Sequence, residues 1–94
     1  MAQIVELSAK SLPLDCYLFK HSTRCPISAS AAGVVRAHPF DLPVYWVNVI
    51  EQRDLSSWIA ATYSVPHESP QLLEIRAGVV KKSLSHYEIS AKNI

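Results

Sequence analysis

Cys25 is followed directly by a proline and preceded by a short polar run, His21-Ser22-Thr23-Arg24. Proline is favoured at the first position of a helix, where its missing N–H would have had no partner. The spacing therefore predicts a helix that begins at Pro26, with Cys25 as its N-cap. The free N–H groups of Ile27 and Ser28 then point at the sulfur, and the positive end of a helix favours a thiolate over a thiol. Lys20, His21 and Arg24 lie within five positions upstream and add positive charge. The Ser28 hydroxyl, three residues downstream, is placed to donate a hydrogen bond to the sulfur. The chemistry this pattern offers is nucleophilic attack by a thiolate. The plainer alternative is a cysteine that only packs at a helix start.

Other chemistries find less support. Cys16 lies within Asp15-Cys16-Tyr17-Leu18-Phe19-Lys20, an apolar, partly aromatic run that reads as a strand buried on both faces. A cysteine there behaves as a small inert hydrophobe. Two cysteines are too few for a disulfide scaffold, and too few for a structural zinc site without histidine. The four histidines, His21, His38, His67 and His86, are scattered and form no metal-ligand spacing, so no metal is expected. With only two glycines there is no Gly-rich phosphate loop. Nine basic against eight acidic residues leave a formal charge of +1, so nucleic acid and membrane surfaces have no electrostatic claim.

These residues need a scaffold, and 94 residues suffice for one small domain, 1–94. Hydrophobic residues at 49% and charged residues at 18% are a globular mixture rather than a disordered one. No apolar run reaches the ~18 residues of a membrane span. The first residues lack the features of a signal peptide, so the expected compartment is the cytoplasm. Residues 3–13 read as a short helix or an edge segment. After the strand at 15–20, Ile27, Ala31, Val34 and Val35 trace one face of a helix that must end before Pro39. Val44 to Ile50 is the strongest β-forming run. Asp54 can cap a second helix carrying Leu55, Trp58, Ile59 and Thr62 on one face. Two prolines between Val65 and Pro70 end it. Gln71–Arg76 and Val79–Leu84 flank Ala77-Gly78 as a hairpin, either a tight turn or, because alanine suits a type I′ turn poorly, a longer loop. Ser85-His86-Tyr87-Glu88 fits a capping box and opens a short last helix. The order is β-α-β-α-β-β-α, an α/β fold with a single mixed sheet. Ser69-Pro70-Gln71 enters the third strand, and X-Pro bonds are mostly trans, so the residues alone favour trans there.

Three ordered segments carry a resemblance. Phe19-Lys20-His21-Ser22-Thr23-Arg24-Cys25-Pro26-Ile27-Ser28 is similar to the active-site segment of the YtxJ-type monothiol bacilliredoxins. Val49-Ile50-Glu51-Gln52-Arg53-Asp54-Leu55-Ser56 and His67-Glu68-Ser69-Pro70-Gln71 resemble that family's later motifs in the same order. The match runs from about Cys16 to Ile89; the last helix looks short beside the family pattern. The resemblance implies a thioredoxin-like fold, Cys25 as nucleophile, and Pro70 as a cis-proline facing it. It implies a thiol–disulfide oxidoreductase that removes a small thiol, bacillithiol, from protein mixed disulfides. His21, Thr23, Ser69, Pro70 and Gln71 would then meet the substrate or thiol. Pro26, Ile27, Ser28, Lys20 and Arg24 would stabilise the thiolate. The small thiol is a cosubstrate, with no bound cofactor, and the partners are thiolated proteins. The oligomeric state is left open.

Two alternatives belong to other classes. One is a thioredoxin-fold binding module without turnover. The other is an iron–sulfur carrier of the monothiol glutaredoxin kind, which Pro26 disfavours by stiffening the loop and removing an N–H.

Overall fold

The computed structural model describes residues 3–94. Five strands form one mixed sheet in the order β1-β3-β2-β4-β5. They are β1 (Ile4–Glu6), β2 (Cys16–His21), β3 (Val44–Asn48), β4 (Gln71–Arg76) and β5 (Val79–Ser85). Helix α1 (Pro26–Ala37) joins β2 to β3, and α2 (Arg53–Tyr63) joins β3 to β4. The N-terminal segment is thus the edge strand of the two options, parallel to β3 with Ile4 opposite Val44. β2 and β3 are parallel, whereas β4 runs antiparallel to both β2 and β5. Among the described residues no helix is long and apolar enough to cross a membrane.

The two helices cover opposite faces of the sheet, because strand side chains alternate. Phe19, Val44 and Leu72 pack with Ala31, Ala32 and Val35 of α1. Cys16, Leu18, Val47, Leu73 and Ile75 pack with Ile59 of α2. The buried stripe of α1 is Ser28, Ala31, Ala32 and Val35. It is turned from the face expected at Ile27, Ala31, Val34 and Val35: Ala32 joins the cluster around Phe19, and Ser28 turns inward to Ser22 and His21. On α2, Thr62 is exposed, and the buried positions are Ser56 and Ile59. Asp54 does not cap α2; Gln52 is the N-cap. Its amide instead donates to the Leu7 carbonyl at 2.8 Å while its side-chain oxygen accepts the Asn48 N–H at 3.0 Å. Asn48 Oδ1 in turn accepts the N–H groups of Ile50 and Glu51, which ends β3 two residues before the end of the β-forming run.

The β4–β5 turn is the tight form. Arg76 faces Val79, and both Ala77 (φ 54°) and Gly78 (φ 76°) are left-handed. Alanine tolerates that conformation because tertiary bonds hold the turn. The Ala77 N–H donates to Asp15 Oδ1 and the Gly78 N–H to the Leu14 carbonyl, both at 3.0 Å. The capping box at Ser85 closes, its N–H donating to Glu88 at 2.9 Å. It opens only a 3-10 turn at His86–Glu88, after which Ile89 returns to the core beside α1.

Candidate active site around Cys25

The strand register brings the chemistry to one end of the sheet. Lys20, next to last in β2, lies opposite Gln71, the first residue of β4. The loop that leaves β2 toward Cys25 and the loop that delivers Pro70 therefore emerge side by side. This is the carboxyl end of parallel β2 and β3, where successive connections leave for opposite sides, the usual binding crevice of an open α/β sheet. The Ser69–Pro70 peptide is cis. Pro70 is buried, and its carbonyl accepts the His86 N–H at 3.0 Å.

Cys25 is the N-cap of α1, with extended backbone at φ −118° and ψ 119°. Its thiol is free and half-buried. Its carbonyl accepts the first helical bond, from the Ala29 N–H at 3.1 Å. The close N–H···S contacts expected from Ile27 and Ser28 are not made: the Cys25 sulfur accepts no capping hydrogen bond. Half-buried Ile27 and exposed Pro26 form the first turn of the helix after it.

Two residues expected beside the sulfur point elsewhere. Ser28 is fully buried, and its oxygen accepts the Ser22 N–H at 2.8 Å. It also lies 2.8 Å from His21 Nδ1. Ser28 thus braces the loop that carries Cys25 instead of contacting the thiol. His21 rests against Trp46 (5.5 Å between centroids) and Phe19 (6.0 Å), and Arg36 sits over Trp46 at 4.6 Å. Burial first, and Arg36 second, hold His21 below the usual imidazole range, so it is largely neutral at pH 7. Ser28→Ala is expected to cost about 1–3 kcal/mol in urea unfolding, because it leaves a buried N–H at Ser22 without a partner. A loss of less than a few tenths would mean the loop does not need this brace.

Lys20 also departs from its expected place. It is fully buried on the α2 side of the sheet, with Nζ 3.1 Å from the Ser56 carbonyl and 3.2 Å from His67 Nδ1. Burial pushes its pKa down to about 8. Thr23 and Arg24 are exposed at the loop tip, and the Arg24 backbone N–H donates to Ser22 Oγ at 3.4 Å. Ser69 is half-buried beside Pro70, and Gln71 is buried, its amide donating to the Pro66 carbonyl at 3.1 Å. Sequence reasoning missed Ser56. The available signal was Lys20 itself, a charged residue in a strand otherwise apolar on both faces.

Cys16 is fully buried, its S–H directed at the Pro13 carbonyl at 3.7 Å. Burial, with a smaller contribution from Asp15, pushes its pKa up to about 11. In the native protein at pH 7 to 8, a charged thiol reagent is expected to label Cys25 alone, with Cys16 labelled only after denaturation. Mass mapping of the labelled peptides checks this, and prompt native labelling of Cys16 would contradict its placement.

Among solved structures, the chain is similar to one described as a proposed oxidoreductase with a thioredoxin fold, at 29% identity and a TM-score of 0.84. That likeness covers 96% of this chain and 88% of the other. The reduced form of desulfothioredoxin from Desulfovibrio vulgaris Hildenborough shares the fold, at 16% identity and a TM-score of 0.55, over 94% and 88% of the two chains. The family model described as "Monothiol bacilliredoxin BrxC" matches residues 1–94.

Proposed function

Because the chain belongs to the monothiol bacilliredoxin family, we propose that it is a thiol–disulfide oxidoreductase that clears a small thiol, bacillithiol, from protein mixed disulfides through Cys25. The Cys25 thiolate attacks the small-thiol sulfur of the mixed disulfide. The protein–sulfur bond breaks, the protein leaves as a thiolate that takes a proton from water, and Cys25 carries the small thiol as a new disulfide. A second small-thiol thiolate then attacks the carried sulfur. The two small thiols leave joined to each other, and Cys25 returns as the thiolate. Electrons balance, since one mixed disulfide and two exchange steps yield one small-molecule disulfide and no net oxidant.

The observation that carries this reading is a free, half-buried cysteine at the N-cap of a twelve-residue helix, at the sheet end that Pro70 also occupies. A thiol there can be reached by a sulfur of another molecule. In this reading the exposed Thr23 and Arg24, the ring of His21, and the backbone around Ser69, Pro70 and Gln71 form the surface against which the substrate lies. With serine three residues after the nucleophile, regeneration passes to the second small thiol. Cytoplasmic location belongs to the same proposal, since the reaction needs a compartment where free thiols persist.

The test mixes the reduced protein with one model protein carrying either bacillithiol or glutathione and compares initial rates. Faster release from the bacillithiolated form, with that thiol found on Cys25 by intact mass, is the expected result. Equal rates would remove the bacillithiol assignment, and no release from either would remove the activity.

A further inference from the structure

Lys20 is a fully buried cation that the exchange chemistry does not use. Among the described residues no carboxylate pairs with it; its partners are the Ser56 carbonyl and His67 Nδ1. Ser56 Oγ also lies 3.1 Å from His67 Nδ1. That nitrogen therefore faces two donors, which fixes it as the unprotonated acceptor and places the ring proton on Nε2. Burial first, with Lys20 next, holds His67 below the usual imidazole range, in keeping with a neutral ring. Gln71, directly across the strand pair from Lys20, donates to the Pro66 carbonyl, and its own Oε1 has no partner.

Stability alone does not call for a lysine at this position. A buried ammonium balanced only by neutral acceptors is expensive, and an apolar side chain of like volume is commonly neutral or stabilising. A methionine here would leave no polar atom orphaned, because Ser56 Oγ would still serve His67. What the ammonium does supply is a charge-assisted bond from the central strand to the loop before Pro70. Lys20 and its cross-strand neighbour Gln71 together hold the consecutive residues Pro66 and His67. Both bonds come from strands, the rigid part of the molecule, and both end on a loop whose residues 66 and 67 are otherwise exposed.

We propose that Lys20 is a positioning residue, whose buried ammonium, acting through His67, fixes the loop of residues 66–70 so that thiolated protein substrates dock against it. The proposal rests on the reading of that loop as the substrate surface. A loop held in place before encounter saves the ordering cost of docking, so its release weakens binding of a large substrate and leaves the sulfur chemistry unaltered.

The experiment is a cycle of Lys20→Met and His67→Leu, singly and together, assayed with a bacillithiolated model protein. Lys20→Met is expected to raise KM about tenfold, with kcat within about twofold and no loss in urea stability. Alkylation of Cys25 by a small reagent is expected to stay at the wild-type rate, and backbone amides of residues 67–69 to exchange faster. His67→Leu is expected to raise KM alike, and Lys20→Met to add nothing in that background. A Lys20→Met protein of wild-type KM would overturn the proposal, as would effects that add in the double variant, or a lowered kcat at constant KM. Should Lys20→Met not fold, a wild-type KM in His67→Leu overturns it equally. The thiolate reading stands or falls separately, on whether Cys25→Ser still turns over.

Discussion

Cys25→Ser is expected to reduce release of small thiol from a mixed disulfide by at least about a thousandfold, to the uncatalysed background, in a protein that still folds. An alcohol is not ionised near neutral pH and forms no disulfide, so neither exchange step has a starting point. The substitution is nearly isosteric at a half-buried N-cap, where serine is itself a favoured capping residue. Loss of turnover in a stable protein would therefore report chemistry alone. Cys16→Ala is the necessary companion, and it is expected to keep most activity. Cys16 starts β2 and Cys25 lies four residues beyond its end, so the strand alone separates them by roughly 16 Å. A disulfide needs Cα atoms within about 7 Å, which here would require unravelling the strand at the centre of the sheet. Oxidised wild type is thus expected to show one small-thiol adduct by intact mass, rather than a loss of two hydrogens. Turnover that survives Cys25→Ser, or that disappears with Cys16→Ala, would defeat the single-cysteine mechanism.

Phe19→Ala is expected to cost about 3–5 kcal/mol in urea unfolding. Its ring is fully buried between the sheet and α1, in the same cluster as Ala31, Ala32, Val35, Val44 and Leu72. Trp46 lies 4.7 Å away between ring centroids. Its neighbours on α1 are mostly alanines, too short to move into the space, so the cavity stays largely open. For a domain whose total stability is of order 5–10 kcal/mol, that loss brings unfolding close to working temperature. Activity per folded molecule is expected to fall less than stability, since Phe19 lies in the core cluster and its ring stacks on His21 at 6.0 Å. A loss below about 1.5 kcal/mol would show that α1 settles onto the sheet without this ring.

The elements that carry the nucleophile were legible because each rests on a local rule. Pro26 can start a helix but not continue one, so Cys25 had to be an N-cap. Pro39 had to follow the helix end, and the β-branched and aromatic run at 44–50 had to be a strand. The alternation of strands and helices then left few topologies, and the observed sheet agrees with the expected single mixed one. Periodicity could not resolve the N-terminal segment, because a three-residue edge strand is too short to show a period and owes its form to β3.

The directions of the site's side chains were not legible. Ser28, Lys20 and Arg24 are all close to Cys25 along the chain, and proximity in sequence suggested contact with the sulfur. The fold sends each of them a different way. Strand alternation sends Lys20 to the α2 face, where Ser56 and His67 meet it from 36 and 47 residues away. The rotation of α1 turns Ser28 inward to Ser22 and His21, and Arg24 stays at the exposed loop tip. Ala77 shows the same effect in the backbone, since its left-handed conformation depends on Asp15, 62 residues earlier. Local chemistry, then, determined where the thiol sits and what starts and ends each element, because those choices depend on neighbours in sequence. Which groups surround the thiol, and which are buried for another purpose, was decided only when distant segments competed for the same donors and the same space.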